Sequence, residues 1–269
     1  MDLEAQDLEA EYNNRARVPD HMEAMGRWKA TAEAARAARP PETIAYGPGP
    51  REVMDLFSAG PDAPVAVFLH GGYWQALDKD WFSGLAPALL QHGVSLAVPS
   101  YDLAPTVRLS KILEQVRAAV DLIRARTGKR PLVFGHSAGG HMSAGMLSEG
   151  RASAALAISG VFDLRPLVGT SINTALDLNP NEAAALSPVF WPIPNGSTPG
   201  GTVLDCIVGG DESPEFLRQS RMMADHWGAN GVETRYEALP GLNHFTVLGP
   251  LLDPDSALVK RIVELAKGA

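Results

Sequence analysis

Short apolar runs recur along the chain and alternate with stretches whose apolar residues follow a helical spacing. The run Val65–His70 is apolar up to its last residue, which is typical of a strand buried in a parallel sheet. Such runs predict strands over residues 43–46, 52–57, 65–70, 94–99, 132–134, 154–159, 202–208 and 233–239. Helices are predicted over residues 79–91 and 106–126, and after the strands at 132–134, 202–208 and 233–239. We therefore expect a mostly parallel central sheet with helices on both faces.

An N-terminal helical extension is predicted over residues 1–41. Asp20 and Glu23 have the spacing of a capping box, an alanine-rich stretch follows, and two prolines at 40 and 41 end the helix. We expect this extension either to cover the mouth of a pocket or to form the contact of a homodimer.

Residues 160–201 interrupt the alternation of strands and helices. They contain six prolines and several glycines, too irregular a composition for one helix. Connections of this length are commonly functional lids or linkers. Because the segment also carries the aromatic residues Phe162, Phe190 and Trp191, we expect an ordered cap over the site.

The composition is that of an ordinary globular chain, with 45% of its 269 residues hydrophobic and 20% charged, and we expect one domain over residues 1–269. A net charge of −8 argues against nucleic acid or an anionic membrane as the main partner and leaves a small-molecule substrate. The single cysteine, Cys206, lies in an apolar run and predicts a buried thiol in a reducing compartment. The first residues lack the features of a signal peptide, and no apolar run approaches membrane-spanning length, so we expect a cytoplasmic protein.

No motif for a metal or a cofactor stands out. The chain lacks H-E-x-x-H and comparable ligand spacings, and the G-P-G-P-R run at residues 47–51 lacks the G-K-[ST] ending of a phosphate loop. We expect neither a metal nor a cofactor.

The sequence G-H-S-A-G at residues 135–139 follows an apolar strand and precedes a segment of small residues. This arrangement is typical of a nucleophile elbow, in which a serine stands on a strained turn at the N-terminus of a helix and flanking glycines avoid collisions. Ser137 is therefore the candidate nucleophile.

A serine hydroxyl needs a general base, which is normally a histidine oriented by a carboxylate. In enzymes with the α/β-hydrolase fold the three residues follow the order serine, acid, histidine, and the last two come after successive late strands. The strand at 233–239 leads into P-G-L-N-H-F, so His244 is the candidate base. His136 and His141 flank the nucleophile too closely in sequence to reach it, and we expect them to pack or to form hydrogen bonds locally.

The candidate acid lies in G-G-D-E-S-P-E-F, after the strand at 202–208. The spacing from Gly209 favours Glu212, whereas aspartate is the commoner residue type and favours Asp211. One of the two is expected to point toward the histidine and the other to be a surface charge.

An oxyanion needs preorganised N–H donors. We expect one from Ala138, at the start of the helix after Ser137. Gly71 and Gly72, after the strand at 65–70, are the other candidates because they let the backbone approach the substrate.

Four motifs together resemble the arylformamidase, or kynurenine formamidase, group of α/β-hydrolases: H-G-G-Y-W at 70–74, G-H-S-A-G-G-H at 135–141, I-S-G-V-F-D-L at 158–164 and D-E-S-P-E-F at 211–216. The resemblance extends from Arg15 to Phe245. It implies an α/β-hydrolase fold and cleavage of N-formylkynurenine to kynurenine and formate in tryptophan breakdown. Where members of the group read D-S-P-E-F, Glu212 takes the place of their aspartate.

The mechanism implied by this resemblance is acyl transfer to the serine followed by hydrolysis. Aromatic side chains near the loop of residues 70–74 and in the cap are candidates for the wall of a substrate pocket: Tyr73, Trp74, Phe162, Trp191 and Phe245. Ser171 and Asn173 are candidates for binding the polar groups of an amino-acid substrate.

Two other interpretations remain open. A carboxylesterase acting on short-acyl or aryl esters would use the same residues, because fold and triad do not determine the leaving group. A non-catalytic binding protein of hydrolase fold would be expected to lack part of the triad or the oxyanion glycines, and this chain retains both.

Overall fold

The computed structural model describes residues 7–194 and 202–268. An eight-stranded sheet in the order β1-β2-β4-β3-β5-β6-β7-β8 forms its centre. The strands are β1 (Glu42–Ala45), β2 (Val53–Phe57), β3 (Val65–Leu69), β4 (Ser95–Pro99), β5 (Leu132–His136), β6 (Ala155–Ile158), β7 (Val203–Gly209) and β8 (Glu233–Leu239). Strands β1 and β2 pair antiparallel, and β2 pairs antiparallel with β4, whereas the remaining pairs are parallel. The predicted mostly parallel sheet is confirmed.

Ten helices of the described residues surround or precede this sheet. They are α1 (Leu8–Tyr12), α2 (Asn14–Arg17), α3 (His21–Ala38), α4 (Ala86–Gln91), α5 (Leu109–Thr127), α6 (Ala138–Ser148), α7 (Asn173–Leu176), α8 (Pro180–Ala185), α9 (Pro214–Gly228) and α10 (Ala257–Lys267).

Side chains of the central strand β3 alternate between two apolar cores, one on each face of the sheet. Val65, Val67 and Leu69 pack with residues of α5, α6 and α9. Ala66 and Phe68 pack with residues of α3, α4 and α10 on the other face. Since every residue of β3 is buried, the strand reads as a continuous apolar run, and the predicted helices on both faces are confirmed.

Two local predictions are wrong. Residues 79–91 do not form one helix: Lys79–Trp81 and Ser83–Leu85 are short 3-10 turns, and the α-helix begins only at Ala86. Pro87 has no N–H to donate, so it fits the first turn of a helix and not its middle. Asp20 does stand before α3, but its side chain makes no capping hydrogen bond.

The insertion predicted as a cap contains the short helices α7 and α8 and two 3-10 turns within its described part. Its remainder, residues 195–201, lies outside the described residues. The segment packs along α6 and α9 and contributes Leu164, Leu167 and Val189 to the core. Cys206 is buried and unpaired as expected.

Candidate active site

Ser137 occupies a strained turn between β5 and α6. Its backbone angles, φ 56° and ψ −117°, lie outside the regions that side-chain-bearing residues normally adopt. A Cβ at Gly139 would stand 1.8 Å from the carbonyl oxygen of Leu69, so a larger residue could not follow the serine there. The predicted strand, turn and helix of a nucleophile elbow are confirmed.

His244 and Glu212 meet across two neighbouring loops. The Nδ1 atom of His244 lies 2.7 Å from Oε2 of Glu212, and both residues are at least nine-tenths buried. The loops are in close contact, because a Cβ at Gly209 would stand 2.3 Å from the carbonyl oxygen of Leu242. Asp211, by contrast, is exposed. Of the two candidate acids, only Glu212 contacts the histidine.

The second carboxylate oxygen of Glu212 is also held. Oε1 accepts the N–H of Gly209 at 2.8 Å and the hydroxyl of Ser159. These three bonds set the orientation of Glu212 toward the histidine. Ser159 was not among the predicted site residues. The signal for it was available: Ser159 directly follows β6, and the carboxyl ends of parallel strands converge on one edge.

His136 supports the loop that carries His244. Its Nε2 lies 2.8 Å from the carbonyl oxygen of His244, and since a carbonyl only accepts, Nε2 carries the proton. Burial and the neighbouring His244 hold the pKa of His136 well below its usual range, so the ring is neutral at pH 7. Both His136 and His141 are buried and pack against neighbouring rings, as expected, but their hydrogen bonds are not local, since His141 bonds the carbonyl of Leu186. Chain segments distant in sequence meet both rings only after folding.

The H-G-G-Y-W loop lies directly against the nucleophile. A Cβ at Gly71 would stand 3.0 Å from Cβ of Ser137 and 2.9 Å from the carbonyl oxygen of His136. Gly72 has φ 104°, and a Cβ there would stand 2.5 Å from the carbonyl oxygen of Ala76. Ala138 begins α6, so its N–H has no acceptor within the helix. The structure thus brings the three predicted oxyanion residues to the same place as Ser137.

His70 holds the start of this loop, directly after β3, in place. Its ring stacks on Tyr101 with 4.2 Å between ring centroids, and the Tyr101 hydroxyl donates to the carbonyl of His70 at 2.8 Å. Burial lowers the pKa of His70 to about 4, so its ring is neutral at pH 7. The aromatic contact and the hydrogen bond together hold the strand end from which the glycines emerge.

A cavity of about 360 Å³ opens over Ser137 and His244. This volume is within the range of small-molecule sites. The lining residues come from the N-terminal segment, the loop after β3, the elbow, the insertion and the His244 loop: Tyr12, Asn13, Asn14, Arg15, Met25, Trp28, Gly72, Tyr73, Gln75, Ala76, Leu77, His136, Ser137, Ser171, Ile172, His244 and Phe245. Of the five predicted aromatic wall residues, Tyr73 and Phe245 line it.

The other three predicted wall residues lie elsewhere, and their assignment is corrected. Trp74 and Phe162 are fully buried in the core. Trp191 packs on α6, where a Cβ at Gly145 would stand 2.7 Å from its ring. The small residues of α6 leave room beside the helix, and large aromatic side chains fill it. Neighbours in sequence can therefore separate, with Tyr73 at the cavity and Trp74 beneath it.

The N-terminal extension forms one wall of the cavity, as its predicted covering role requires. The hydroxyl of Tyr73 donates to the carbonyl of Tyr12 at 2.8 Å, and the hydroxyl of Tyr12 donates to the buried Oε1 of Glu215 at 2.6 Å. Glu9 accepts the N–H of Ser171 at 2.8 Å and its hydroxyl at 2.7 Å. The alternative role, a homodimer contact, stays a prediction.

The two polar candidates of the insertion are already committed to protein partners. Ser171 lines the cavity, but its hydroxyl donates to Glu9. The side chain of Asn173 accepts the N–H of Leu178 and donates to the carbonyls of Val168 and Leu178, closing its own turn. Neither side chain therefore has a hydrogen-bond donor left for a substrate.

Two searches of residues 7–194 and 202–268 gave negative findings. No helix there is long and apolar enough to cross a membrane. No group of three or more histidine, cysteine, aspartate and glutamate residues could hold a metal ion. The cytoplasmic location stays a prediction.

Comparisons with known proteins agree with this fold. A family model of the alpha/beta hydrolase fold matches residues 66–190. Kynurenine formamidases from Salmo salar and Drosophila melanogaster are 28% and 29% identical, over 98% and 79% of this chain and 95% and 77% of their own lengths. A solved structure from Silicibacter sp., provisionally assigned as a thioesterase, is 34% identical with a TM-score of 0.85, covering 96% of this chain and 99% of that one. The chain belongs to the α/β-hydrolase family and is an arylformamidase-like member of it.

Proposed function

We propose that this protein is a serine hydrolase that cleaves an aryl formamide of the N-formylkynurenine type to an amine and formate. The observation that carries the proposal is the 2.7 Å contact between Glu212 and His244, together with a cavity that is lined by both His244 and the strained Ser137. A neutral histidine oriented through Nδ1 keeps Nε2 free to accept the proton of a serine hydroxyl.

In the first half of the proposed reaction, Oγ of Ser137 attacks the formyl carbon and its proton passes to Nε2 of His244. The negative charge that develops on the carbonyl oxygen is stabilised by N–H groups of Ala138 and of the Gly71–Gly72 backbone. The C–N bond then breaks, the amine leaves with the proton from His244, and the formyl group remains on Ser137.

In the second half, water attacks the formyl ester. His244 takes a proton from the water, the bond to Oγ breaks, and Oγ recovers that proton as formate leaves. Glu212 orients the ring of His244 and stabilises the imidazolium that forms in each half. The overall balance is one formamide and one water to one amine and one formic acid, which ionises to formate and a proton.

Support for a formamide substrate comes from two sources. The curated relatives that match most of the chain are kynurenine formamidases. The cavity also presents the aromatic side chains of Tyr12, Trp28, Tyr73 and Phe245, which suit an aryl leaving group.

The test is kcat/KM for N-formylkynurenine beside 4-nitrophenyl acetate, with Ser137→Ala and His244→Ala as comparisons. We expect both variants to lose at least about 10⁴-fold in kcat on the formamide while keeping the wild-type circular dichroism spectrum. Near-wild-type rates in either variant would overturn the triad assignment.

Ester hydrolysis is the second candidate function. It is favoured by the 34% identical structure provisionally assigned as a thioesterase, and it would use the same residues. Turnover of 4-nitrophenyl acetate that depends on Ser137, without turnover of the formamide, would keep the mechanism and replace the substrate class.

A further inference from the structure

Resting on the proposed function, we infer that Arg15 and Asn14 in the N-terminal wall bind a carboxylate on the leaving group of the substrate. The inferred substrate class is thus an aryl formamide that carries a carboxylate rather than one without it. The formyl group contains a single carbon, so almost all of a bound formamide substrate is its leaving amine. The cavity walls away from Ser137 therefore contact the leaving amine and select it.

The charge of the cavity lining points to an anion. Among the residues that the structure describes, Arg15 is the one lysine or arginine of the lining, and none of them in the lining is aspartate or glutamate. His136 in the same lining is neutral at pH 7, because burial and His244 lower its pKa. The cationic group is notable in a chain whose net charge is −8. Its charge at the cavity favours a substrate that carries a carboxylate.

Arg15 itself is exposed and lies where the cavity opens to solvent. Within residues 7–194 and 202–268, no carboxylate lies within 4.0 Å of its guanidinium. Arg17, two residues further along the same short helix, does have such a neighbour, Glu11, at 3.9 Å. A guanidinium presents several N–H donors that match the two oxygens of a carboxylate, so Arg15 is free to make this pair.

Most other polar side chains of the wall are committed to protein partners. Asn13 accepts from Ala16 and donates to Glu9. Gln75 donates to the carbonyl of Ile172, and the hydroxyls of Tyr73 and Ser171 donate to acceptors within the chain. The polar groups of this wall are therefore mostly used to hold it in place.

Asn14 is the exception beside Arg15. It is 5% exposed, and neither Oδ1 nor Nδ2 has a hydrogen-bond partner among the described residues. Buried amides are nearly always hydrogen-bonded, so an unpartnered one in a cavity wall calls for a ligand. A carboxylate bound by Arg15 could accept a hydrogen bond from Nδ2 of this amide and so supply its partner.

The experiment compares two aryl formamides that differ only at the polar end. N-formylkynurenine carries the amino-acid end, and 2-formamidoacetophenone lacks it. Wild type, Arg15→Gln, Arg15→Lys and the control Arg17→Gln are assayed on both. We expect Arg15→Gln to raise KM about tenfold for N-formylkynurenine with kcat within about twofold, and to leave the neutral formamide unchanged. Arg15→Lys should recover part of the loss, and Arg17→Gln should behave as wild type.

The dependence of KM on ionic strength is an independent test, because it would not change if Arg15 had a purely structural role. Added salt should raise KM for N-formylkynurenine in the wild type and have little effect in Arg15→Gln, because it screens an exposed charge pair.

Asn14→Ala should raise the same KM about threefold without lowering Tm, since its amide has no partner within the described residues. An unchanged KM would remove Asn14 from the inferred subsite.

The outcomes separate this inference from the proposed function. Equal effects of Arg15→Gln on both formamides, or none, would overturn the inference and leave the function standing. If neither formamide is cleaved, the proposed function is wrong. The carboxylate site is then tested separately, by comparing how strongly L-kynurenine and 2-aminoacetophenone inhibit the turnover of 4-nitrophenyl acetate. A preference for kynurenine that disappears in Arg15→Gln would uphold it, and equal inhibition constants in wild type and variant would overturn it.

Discussion

The cavity has two walls that are built in different ways. The catalytic wall consists of turns at the carboxyl ends of β3, β5, β7 and β8, and each turn is held by the backbone of the sheet. The N-terminal wall, residues 12–28, is a separate segment, and side-chain bonds such as Tyr12 to Glu215 link it to the rest of the site. The difference suggests a division of work: the rigid wall carries out the chemistry, and the attached wall chooses the substrate.

The adjacent carboxylates of the catalytic wall offer the sharpest test of this division. Glu212→Gln should lower kcat about 10³- to 10⁴-fold, because His244 loses the charge that orients and stabilises it. Asp211→Asn should stay within about twofold, since Asp211 is exposed. Steady-state kinetics on one substrate measures both. The reverse order would transfer the role of the acid to Asp211.

Acid should lower the stability of the whole fold, because buried histidines lie behind the catalytic wall. The unfolded chain binds protons at these histidines below about pH 6.5. The folded chain keeps His70 and His141 neutral down to a pKa of about 4, and His136 stays neutral as well. The unfolded state thus binds more protons, and the free energy of unfolding should fall from about pH 6.5 toward pH 4 by up to about 1.4 kcal/mol per pH unit for each histidine.

Urea denaturation between pH 7.5 and pH 4.5 measures this slope. His141→Leu should make it shallower by removing one of the buried histidines. The exposed His226 provides the matched control, and His226→Gln should leave the slope nearly unchanged. A steeper or unchanged slope in His141→Leu would contradict the assignment of its ring as neutral.

Loosening the N-terminal wall should have the smallest effect. Tyr12→Phe removes a hydroxyl that bonds Glu215 and Gln219 in the core, and it should lower the free energy of unfolding by about 1–3 kcal/mol. KM should rise a few-fold while kcat changes little, because Ser137, His244 and Glu212 stay in place. A loss of kcat as large as that of Glu212→Gln would show that the two walls do not act separately.

Sequence reasoning succeeded where a local pattern imposes the geometry. The apolar runs predicted all eight strands, and G-H-S-A-G predicted the turn at Ser137. Both features depend on the residue types of a few neighbouring positions, so a short stretch of sequence is enough to indicate them. It failed for Trp74, Phe162 and Trp191. Whether an aromatic side chain points into a cavity or into the core depends on which elements pack against it. The spacing of apolar residues along the chain carries no information about those elements.

By itself, the sequence determined the sheet, its helices and the order of serine, acid and histidine along the chain, since these follow from short-range patterns. Only the tertiary structure decided between Glu212 and Asp211, because the two lie next to each other in one loop and only the side chain of Glu212 points toward His244. It also decided that Tyr12, Asn14 and Arg15 line the cavity, that Ser159 contacts Glu212 and that His136 contacts the backbone of His244. The physical reason is the same in each case: these contacts join segments far apart in the chain, and packing creates them.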